Sequence, residues 1–509
     1  MKRPNILVFM TDQQNGGTVL PGNPWKAVTP VLDDFRGDAV SFSRAYCPAP
    51  HCCPSRATFF TGLMPSQHGV WNNVNVANAL SRGFRAGVNP WSVDLAEAGY
   101  GLHFAGKWHV SNSQEPRDFR WEHVHPDRMC HGTGLSPEEQ DREARDREVA
   151  ALRAGTVDGP PVTRRPGEIQ RRGFPPYVHY GGVEDAWLQR YFRDGDPEDP
   201  FGDTTVVAAA EERLRDLLGG SDPWCLFVGT LGPHDPYIPP ARFLDLYPPG
   251  SLSLPESFSD PMDDKPALYR RTREAFAQLS PAEHLQALRH YLAFCSYEDE
   301  LFGRLLACLR EAGAYDDTLV VYLSDHGDYA GDHGLWCKGL PSFLSAYHIP
   351  AIVKLPGTDG PRGLERRELV SLADFGPTFL QAAGLPAVSG DAGRSLLPLL
   401  DGAGPVPWRD ALFFQTNGNE TYGIQRSVLT DRWRFVYNGF DYDELYDLAA
   451  DPGQMHNLAG DPQFRPVVED CYRRLWDFAL RHGDTLTNDY IFTALADVGP
   501  GIALPPGES

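Results

Sequence analysis

Residues 302–327 read FGRLLACLREAGAYDDTLVVYLSDHG, and this stretch decides the fold class. Apolar side chains recur at helical spacing from Phe302 to Leu309, and Gly313 follows as a helix stop. The run 318–323 is short and apolar, which predicts a strand buried on both faces. A helix that leads directly into such a strand is typical of an α/β protein, in which helices cover both faces of a sheet.

Four further short apolar runs resemble 318–323 and are predicted as strands of the same sheet. They are residues 6–10, 102–105, 224–229 and 351–355. Because strands separated by helical stretches pair in parallel, we expect a large mixed, mostly parallel sheet between helices. We assign this α/β unit to residues 1–400.

The segment from about 112 to 200 departs from this alternation. It is rich in charged residues, proline and glycine, and it contains one predicted helix that begins at Ser136 and runs through Leu152. We interpret the segment as an insertion. It could form a lid or a subunit contact, and a solvated decoration explains its composition equally well.

The pattern changes again after residue 400. Residues 424–429 and 433–437 are predicted strands joined by a tight turn, and a terminal helix is predicted near 464–481. This order predicts a smaller C-terminal α+β subdomain over 401–509, with an antiparallel sheet.

Composition and charge exclude several classes of protein. With 41% hydrophobic and 22% charged residues the chain is globular rather than disordered. A net charge of −22 argues against nucleic acid or an anionic membrane as partner. No apolar run approaches the roughly 18 residues of a membrane span, and residues 6–10 are too few for a signal peptide. The nine scattered cysteines fit reduced thiols. We therefore expect a cytoplasmic protein.

Residues suited to metal and proton chemistry follow the ends of four predicted strands. They are Asp12 and Gln13, Lys107 and His109, His234, and Asp325 and His326. The carboxyl ends of strands are where open α/β sheets bind ligands. Asp12, Gln13, Asp325 and His326 could together hold one divalent cation through mainly oxygen donors. Taken singly, an Asp after a strand is more often a turn former or a helix cap.

Positive and titratable side chains are also predicted near these strand ends. Lys107 and His109 lie two positions apart, so in an extended conformation they would face the same side and act on one anion. His234 lies between Pro233 and Asp235-Pro236, which gives it the stiff backbone of a positioned acid or of a plain surface loop. Lys338 adds a further cation beyond Asp325.

Residues 52–62, CCPSRATFFTG, resemble the sulfatase signature C-x-P-S-R-x-x-x-x-T-G at every fixed position. The other segments follow in the order of that family: P-N-I-L at 4–7, G-K-W-H at 106–109, P-H-D at 233–235, S-D-H-G at 324–327, G-D-H-G-L-W-C-K-G at 331–339 and E-L-Y-D-L at 444–448. The resemblance extends from about residue 3 to 459 and is weakest across 112–200. It implies an alkaline-phosphatase-like fold and hydrolysis of a sulfate monoester.

The resemblance also implies that Cys52 is converted to formylglycine by a maturation enzyme. The hydrated aldehyde would be the nucleophile, with Cys53 at the variable position of the signature. An aldehyde has a chemical advantage over serine at this position. A sulfated hemiacetal can expel sulfate by C–O cleavage when its remaining hydroxyl loses a proton, whereas a sulfated serine would need attack of water at sulfur.

A metal site is the next implication. The implied ligands are Asp12, Gln13, Cys52 (as formylglycine), Asp325 and His326. A metal there would lower the pKa of the nucleophile and neutralise developing charge. Gln13 stands where many members have a second Asp, and His326 stands where many have Asn. Ca²⁺ remains the first expectation. Both changes soften the site, however, and therefore make it compatible with Mn²⁺ as well.

The remaining implied roles concern the substrate. Arg56 would support the nucleophile and the anions of the metal site. Lys107 and Lys338 would bind sulfate oxygens, and Asn73 would contact the sulfate. His234 would protonate the leaving alcohol or phenol, and His109 would deprotonate the hemiacetal.

Three alternatives stay open at this point. A phosphonate monoester or phosphodiester hydrolase shares the formylglycine and the overall layout, although the pair Lys107 and His109 favours sulfate. A non-catalytic protein with unmodified Cys52 could bind a metal or an anion. A vicinal disulfide or soft-metal site at Cys52-Cys53 would leave the rest of the signature unexplained. The insertion and the tail from Asn488 are candidate contacts in a homo-oligomer.

Overall fold

The computed structural model describes most of the chain. The described residues are 3–76, 79–125, 164–171, 174–181, 198–357, 361–386, 392–402, 404–485 and 495–504, with single positions between 139 and 153. Strands are β1 (Asn5–Thr11), β2 (Val40–Phe42), β3 (Ala45–Tyr46), β4 (Gly101–Gly106), β5 (Glu122–His125), β6 (Glu168–Arg171), β7 (Phe174–Val178), β8 (Trp224–Gly229), β9 (Thr318–Ser324), β10 (Ala351–Lys354), β11 (Leu364–Arg366), β12 (Val370–Ser371), β13 (Ala411–Gly418), β14 (Tyr422–Thr430), β15 (Trp433–Asn438) and β16 (Glu444–Asp447).

Helices are α1 (Pro30–Gly37), α2 (Cys52–Thr61), α3 (Pro65–His68), α4 (Trp91–Glu97), α5 (Asp203–Leu218), α6 (Ala241–Leu244), α7 (Ala267–Phe276), α8 (Pro281–Glu311), α9 (Phe375–Ala382), α10 (Leu397–Leu400) and α11 (Arg465–Arg481). Across the described ranges, no helix combines the length and the apolar character needed to cross a bilayer.

An eight-stranded sheet forms the centre of the molecule. Its strand order is β11-β2-β10-β9-β1-β8-β4-β5. The five strands from β9 to β5 run parallel, whereas β10 is antiparallel to both of its neighbours. The prediction of a large mixed, mostly parallel sheet is confirmed, and each of the five predicted strands differs from the observed one by at most one residue at either end.

Both faces of this sheet are buried, as the uninterrupted apolar strands predicted. On β1, Ile6, Val8 and Met10 pack into one hydrophobic cluster, and Leu7 and Phe9 pack into another on the opposite face. Different helices cover the two faces: α2 contributes side chains to the first cluster and α8 to the second. The sheet is therefore the middle layer of an α/β/α sandwich.

The ends of the two helices that flank the site follow from their sequences. Ser280 caps α8 by accepting a hydrogen bond from Glu283 N–H, and Pro281 occupies the first helical position. Gly313 lies just beyond the end of α8 at φ 66°, as the helix-stop prediction requires. Gly62 ends α2 in the same left-handed region, at φ 69°.

The C-terminal region forms a second, smaller sheet. Its order is β13-β14-β15-β16, and all of its pairings are antiparallel. Helix α11 packs on one face through Tyr472 and Trp476, which share a cluster with Phe435 and Tyr437 of β15. The predicted antiparallel sheet and terminal helix are confirmed, while the predicted division at residue 400 stays a prediction.

Part of the predicted insertion is described by the structure. Strands β6 and β7 form an antiparallel hairpin there, and Arg164 binds Glu283 of α8 through two hydrogen bonds, at 2.5 and 2.7 Å. The predicted helix from Ser136 to Leu152 falls largely outside the described residues. The described positions between 139 and 153 are helical.

Candidate active site

The loops after β1 and β9 meet because these two strands are adjacent and parallel. Thr11 is paired with Ser324, and Asp325 N–H continues the register by donating to Thr11 O at 3.2 Å. The backbone then turns sharply at Gln13, whose φ is 69°, and Gln13 N–H donates to Asp325 Oδ1 at 3.1 Å. Asp12 and Asp325 are thereby fixed side by side, with no exposed surface.

Cys52 lies at the first position of α2 and faces these two loops. Its Sγ is 3.2 Å from His326 Nε2 and 3.7 Å from Asp12 Oδ1. Asp12, Cys52, Asp325 and His326 each offer one ligand atom, and these four atoms lie within 4.8 Å of one another. All eight described cysteines are free thiols, Cys52 and Cys53 among them, so no vicinal disulfide forms in this structure.

The protonation of His326 fits a metal ligand. Its Nδ1 lies 2.9 Å from the carbonyl oxygen of Gly327, which can only accept a hydrogen bond, so Nδ1 carries the proton. The lone pair of Nε2 therefore faces Cys52 and Asp12. Burial lowers the pKa of His326, which keeps the ring neutral at physiological pH. Two carboxylates and one neutral imidazole form a donor set that suits a divalent cation.

Two buried cations balance the carboxylates from the other side. Arg56 donates from Nε to Asp325 Oδ2 at 2.8 Å and from Nη1 to the Lys107 carbonyl at 2.7 Å. Lys107 Nζ donates to Asp12 Oδ2. Burial alone would raise the pKa of Asp12, but the charges of Lys107, His234 and Arg56 lower it well below its usual range. Asp12 is therefore ionised at any physiological pH.

Lys107 and His109 reach one locus, but not by the extended backbone predicted for them. Strand β4 ends at Gly106, whose φ is 88°, and His109 itself has φ 50°. The expectation of two side chains on one strand face is wrong, because the chain leaves the strand at Gly106. Burial, and then the charge of Lys107, lower the pKa of His109 well below its usual value, so the ring is neutral. Its Nε2 lies 3.1 Å from Asn75 Oδ1, which leaves Nδ1 as the free acceptor.

His234 and Lys338 come together from two different loops. His234 Nε2 lies 2.6 Å from Lys338 Nζ, and His234 Nδ1 lies 2.6 Å from the Asp235 carbonyl oxygen. The Asp235 carboxylate is 3.3 Å from the same Nδ1 and 3.9 Å from Lys338 Nζ. Burial would raise the pKa of Asp235, but the charges of His234 and Lys338 lower it far below the usual value.

The side chain of Gln13 connects the predicted metal shell to this pair. Its Oε1 accepts from Lys338 Nζ, while Nε2 donates to Asp328 Oδ2 at 2.6 Å and to Asp235 Oδ1 at 3.0 Å. All three of its polar bonds therefore go to other side chains. In this structure Gln13 links the residues around the site, and its predicted role as a metal ligand stays a prediction.

Asn73 lies against the N-terminus of α2, beside the backbone of Cys53. Its Oδ1 accepts from Cys53 N–H at 3.2 Å, and its own N–H donates to Asn419 Oδ1 at 2.9 Å. Asn419 belongs to the turn between β13 and β14, so the C-terminal sheet reaches the edge of the site. The next residue of that turn, Glu420, lies 3.8 Å from the ring of His51, the residue that precedes Cys52.

Two family models match this chain. One, described as Sulfatase, matches residues 4–385, and the other, described as N-sulphoglucosamine sulphohydrolase, C-terminal, matches residues 331–481. The chain belongs to the sulfatase family. The choline-sulfatase of Rhizobium meliloti is 28% identical over 495 residues, which cover 95% of this sulfatase and 87% of the relative. Arylsulfatase K of Danio rerio is 27% identical over 503 residues, which cover 93% and 83% of the two chains.

Among solved structures, the phosphonate monoester hydrolase SpPMH from Silicibacter pomeroyi superposes with a TM-score of 0.70 at 22% identity. The match covers 95% of this sulfatase and 96% of that chain. The likeness confirms the alkaline-phosphatase-like fold of the sulfatase. Family membership and the named relatives identify the protein as an enzyme of the sulfuric ester hydrolase class.

Several residues of the sulfatase site were not predicted from sequence. Asp235 stands inside the quoted motif P-H-D, and Asp328 directly follows the quoted S-D-H-G, so their position was a usable signal. No sequence signal marked Asn75 and Asn419, because both lie in turns whose conformation depends on the folded chain. Tyr177, on β7 of the insertion, donates a hydrogen bond to Asp235 Oδ2. The insertion therefore contributes directly to the site.

Proposed function

We propose that this sulfatase hydrolyses an organic sulfate monoester at Cys52, after Cys52 has been converted to formylglycine. The observation that carries the proposal is the meeting of Cys52 with Asp12, Asp325 and His326 within 4.8 Å. Around this group lie the buried Lys107 and the half-buried Lys338, two cations suited to an anionic substrate. Conversion would require a transient encounter with a formylglycine-generating enzyme.

A divalent cation is part of the proposal. Asp12, Asp325 and His326 would hold it, together with the oxygen that replaces the sulfur of Cys52, and Gln13 stands next to them. When bound, such a cation supplies Lewis-acid stabilisation of charge on the nucleophile and on the sulfate oxygens. The two carboxylates favour Ca²⁺, and the imidazole nitrogen makes Mn²⁺ the second expectation.

The side chains of the site would have different roles toward the ester. Lys107 and Lys338 would bind sulfate oxygens and hold the group in place, with Asn73 as a proposed further contact. Arg56, which is fully buried, would keep Asp325 and the backbone of Lys107 in position. The neutral ring of His109 has its free Nδ1 available to deprotonate the hemiacetal.

His234 would serve the leaving group together with Lys338. Its Nε2 lies 2.6 Å from the Lys338 ammonium, which can place a proton at that position. The Asp235 carboxylate, 3.3 Å from Nδ1, would balance the charge of the ring while it holds that proton. A proton delivered to the departing oxygen lets the alcohol or phenol leave uncharged.

Two observations support sulfate over phosphonate as the substrate group. Lys107 and His109 both lie at the site, and the relatives with the names quoted above are sulfatases. The structural likeness to a phosphonate monoester hydrolase makes that activity the second outcome to measure. The alcohol half of the ester is proposed only as a small or medium organic group.

A matched pair of rates tests the proposal. Wild type and Cys52→Ala would be assayed on 4-nitrophenyl sulfate and on phenyl 4-nitrophenylphosphonate, after intact-mass analysis of both. Conversion of cysteine to formylglycine makes the chain about 18 Da lighter. We expect the converted wild type to turn over the sulfate faster than the phosphonate, and Cys52→Ala to turn over neither.

Faster turnover of the phosphonate would overturn the proposed substrate class and retain the site. Equal rates for wild type and Cys52→Ala would show that Cys52 takes no part in the reaction. A fully converted wild type that is inactive on both esters, and on a panel of alkyl sulfates, would overturn the proposed activity.

A further inference from the structure

Behind the His234 loop, two carboxyl groups face each other in the interior of the protein. Asp203 is the first residue of α5 and is 1% exposed, and Glu298 lies in the middle of α8 and is 0% exposed. The two groups are close enough to interact with each other, and both oxygens of Glu298 are buried without a hydrogen-bond donor among the described residues. Among the described residues, neither carboxyl group has a lysine or arginine partner.

Asp203 holds the backbone of the loop that leads from β8 to His234. Its two oxygens accept from Leu231 N–H at 2.7 Å and from Gly232 N–H at 2.9 Å. Glu298 closes the other side of the same turn, since a Cβ on Gly232 would stand 2.2 Å from Glu298 Oε1. Only glycine fits between the two carboxyl groups and the loop.

The same turn is bonded to two residues of the site. The Gly232 carbonyl accepts from Asp12 N–H at 3.0 Å, and the Leu231 carbonyl accepts from His234 N–H at 3.1 Å. A displacement of Gly232 would therefore move the backbone of Asp12 and His234 together.

Two ionised carboxylates in contact, buried and without a cation, would repel each other strongly. With one proton between them, one group donates to the other and both remain in place. We propose that Asp203 and Glu298 form a carboxylic acid–carboxylate pair that shares one proton and acts as a positioning device for Asp12 and His234. The pair touches neither substrate nor metal, and its effect on turnover rests on the proposed function.

Loss of the shared proton would loosen the loop. The ionisable groups that face the pair are Asp199, before α5, Cys295 and Tyr297 of α8, and Tyr322 of β9. None of these is cationic, so none relieves the repulsion. Burial raises the pKa of Asp203 to about 7 and, with the neighbouring Asp203, raises that of Glu298 well above its usual value. The pair is therefore protonated below about pH 7 and loses its proton as pH rises above that value.

Asp299, the neighbour of Glu298, offers a matched control. It is also buried, and it accepts two backbone N–H bonds, at 2.7 and 3.0 Å, from Leu32 and Val31. Burial raises its pKa to about 7 as well. It holds α1 rather than the His234 loop. Asp203→Asn and Asp299→Asn therefore make the same chemical change in the same kind of environment, at different distances from the site.

The experiment compares kcat and KM of wild type, Asp203→Asn, Asp299→Asn and Glu298→Gln on the sulfate ester between pH 6 and 9. We expect Asp203→Asn to lower kcat about tenfold with KM nearly unchanged, because an amide cannot accept from both loop N–H groups. Asp299→Asn should leave kcat within about twofold. In Glu298→Gln, the side-chain amide can donate to Asp203 at every pH. We expect kcat of wild type to fall about tenfold per pH unit on the alkaline side, and this fall should be smaller in Glu298→Gln. Equal kcat losses for the two Asp→Asn variants, or an unchanged alkaline limb in Glu298→Gln, would overturn the proposal.

A second measurement does not depend on sulfatase activity. Because the folded-state pKa of the pair is raised, its contribution to the unfolding free energy is complete below about pH 4 and is lost as pH rises through about 7. Between pH 5 and 9, the denaturant midpoint of Glu298→Gln should therefore rise relative to that of wild type as pH increases. Parallel midpoint curves would contradict the shared proton. An inactive wild type with diverging curves would overturn the proposed activity and retain the pair.

Discussion

The substitution Arg56→Lys tests how much the buried guanidinium contributes to the site. Arg56 bonds two different groups, Asp325 Oδ2 at 2.8 Å and the Lys107 carbonyl at 2.7 Å, and its Nη2 lies 3.5 Å from Asp12 Oδ2. A lysine keeps the charge but carries a single nitrogen that cannot reach both groups at those distances.

The expected loss follows from those bonds. A buried acceptor that loses its donor costs about 1–3 kcal/mol, and poorer pairing of the charge with Asp12 and Asp325 adds to this. We therefore expect Arg56→Lys to lower the free energy of unfolding by about 2–4 kcal/mol. Turnover should fall at least about tenfold, because Asp325 and the backbone of Lys107 lose a common anchor.

Arg304→Lys is the matched control. Arg304 binds both oxygens of Glu211, at 2.9 and 2.8 Å, but its side chain is 31% exposed. A partly solvated pair is worth less than about 1 kcal/mol, so this variant should change stability little. Equilibrium denaturation of both variants, with intact mass checked at Cys52, gives the comparison. Equal stability losses in the two variants would refute the reasoning.

Three further outcomes are expected. Tyr177→Phe removes the hydroxyl that donates to Asp235, and it should lower kcat about five- to tenfold with little change in thermal stability; unchanged kcat would exclude the insertion from catalysis. Dialysis against a chelator should abolish turnover and lower the melting temperature, and Ca²⁺ or Mn²⁺ at about 100 times its Kd should restore about 2.7 kcal/mol; an unshifted melting temperature would argue against a bound metal. Gly106→Ala should prevent correct folding, since its Cβ would stand 1.9 Å from the Gly229 carbonyl oxygen; a soluble, native-like variant would contradict this packing.

The sequence predicted the central sheet well because its strands carry their own signal. Buried parallel strands are uninterrupted apolar runs, and their ends coincide with the first polar residue, which is Thr11 in β1 and Ser324 in β9. The same rule brought the site residues to one edge of the sheet. Cys52 was placed by the signature alone, since nothing in local periodicity marks the start of α2.

Contacts that depend on turns were out of reach. The expectation of an extended segment through His109 was wrong because positive φ values at Gly106 and His109 redirect the chain. Asn419 approaches Asn73 across more than three hundred residues of sequence, through a turn of the second sheet. Tyr177 meets Asp235 through a hairpin within a segment of weak pattern. Such contacts follow from how whole elements pack, which single-sequence periodicity does not encode.

Helix α8 has a consequence for how the molecule opens. Tyr291 of this helix accepts from Asn15 N–H at 2.8 Å and donates to the Gln13 carbonyl at 2.9 Å, and Glu298 lies two turns further along against Gly232. The loops after β1 and β8 are thus both attached to one continuous helix of 31 residues. Backbone amides in the two loops should therefore exchange with deuterium through the same opening event, at the same free energy, rather than as separately fraying segments.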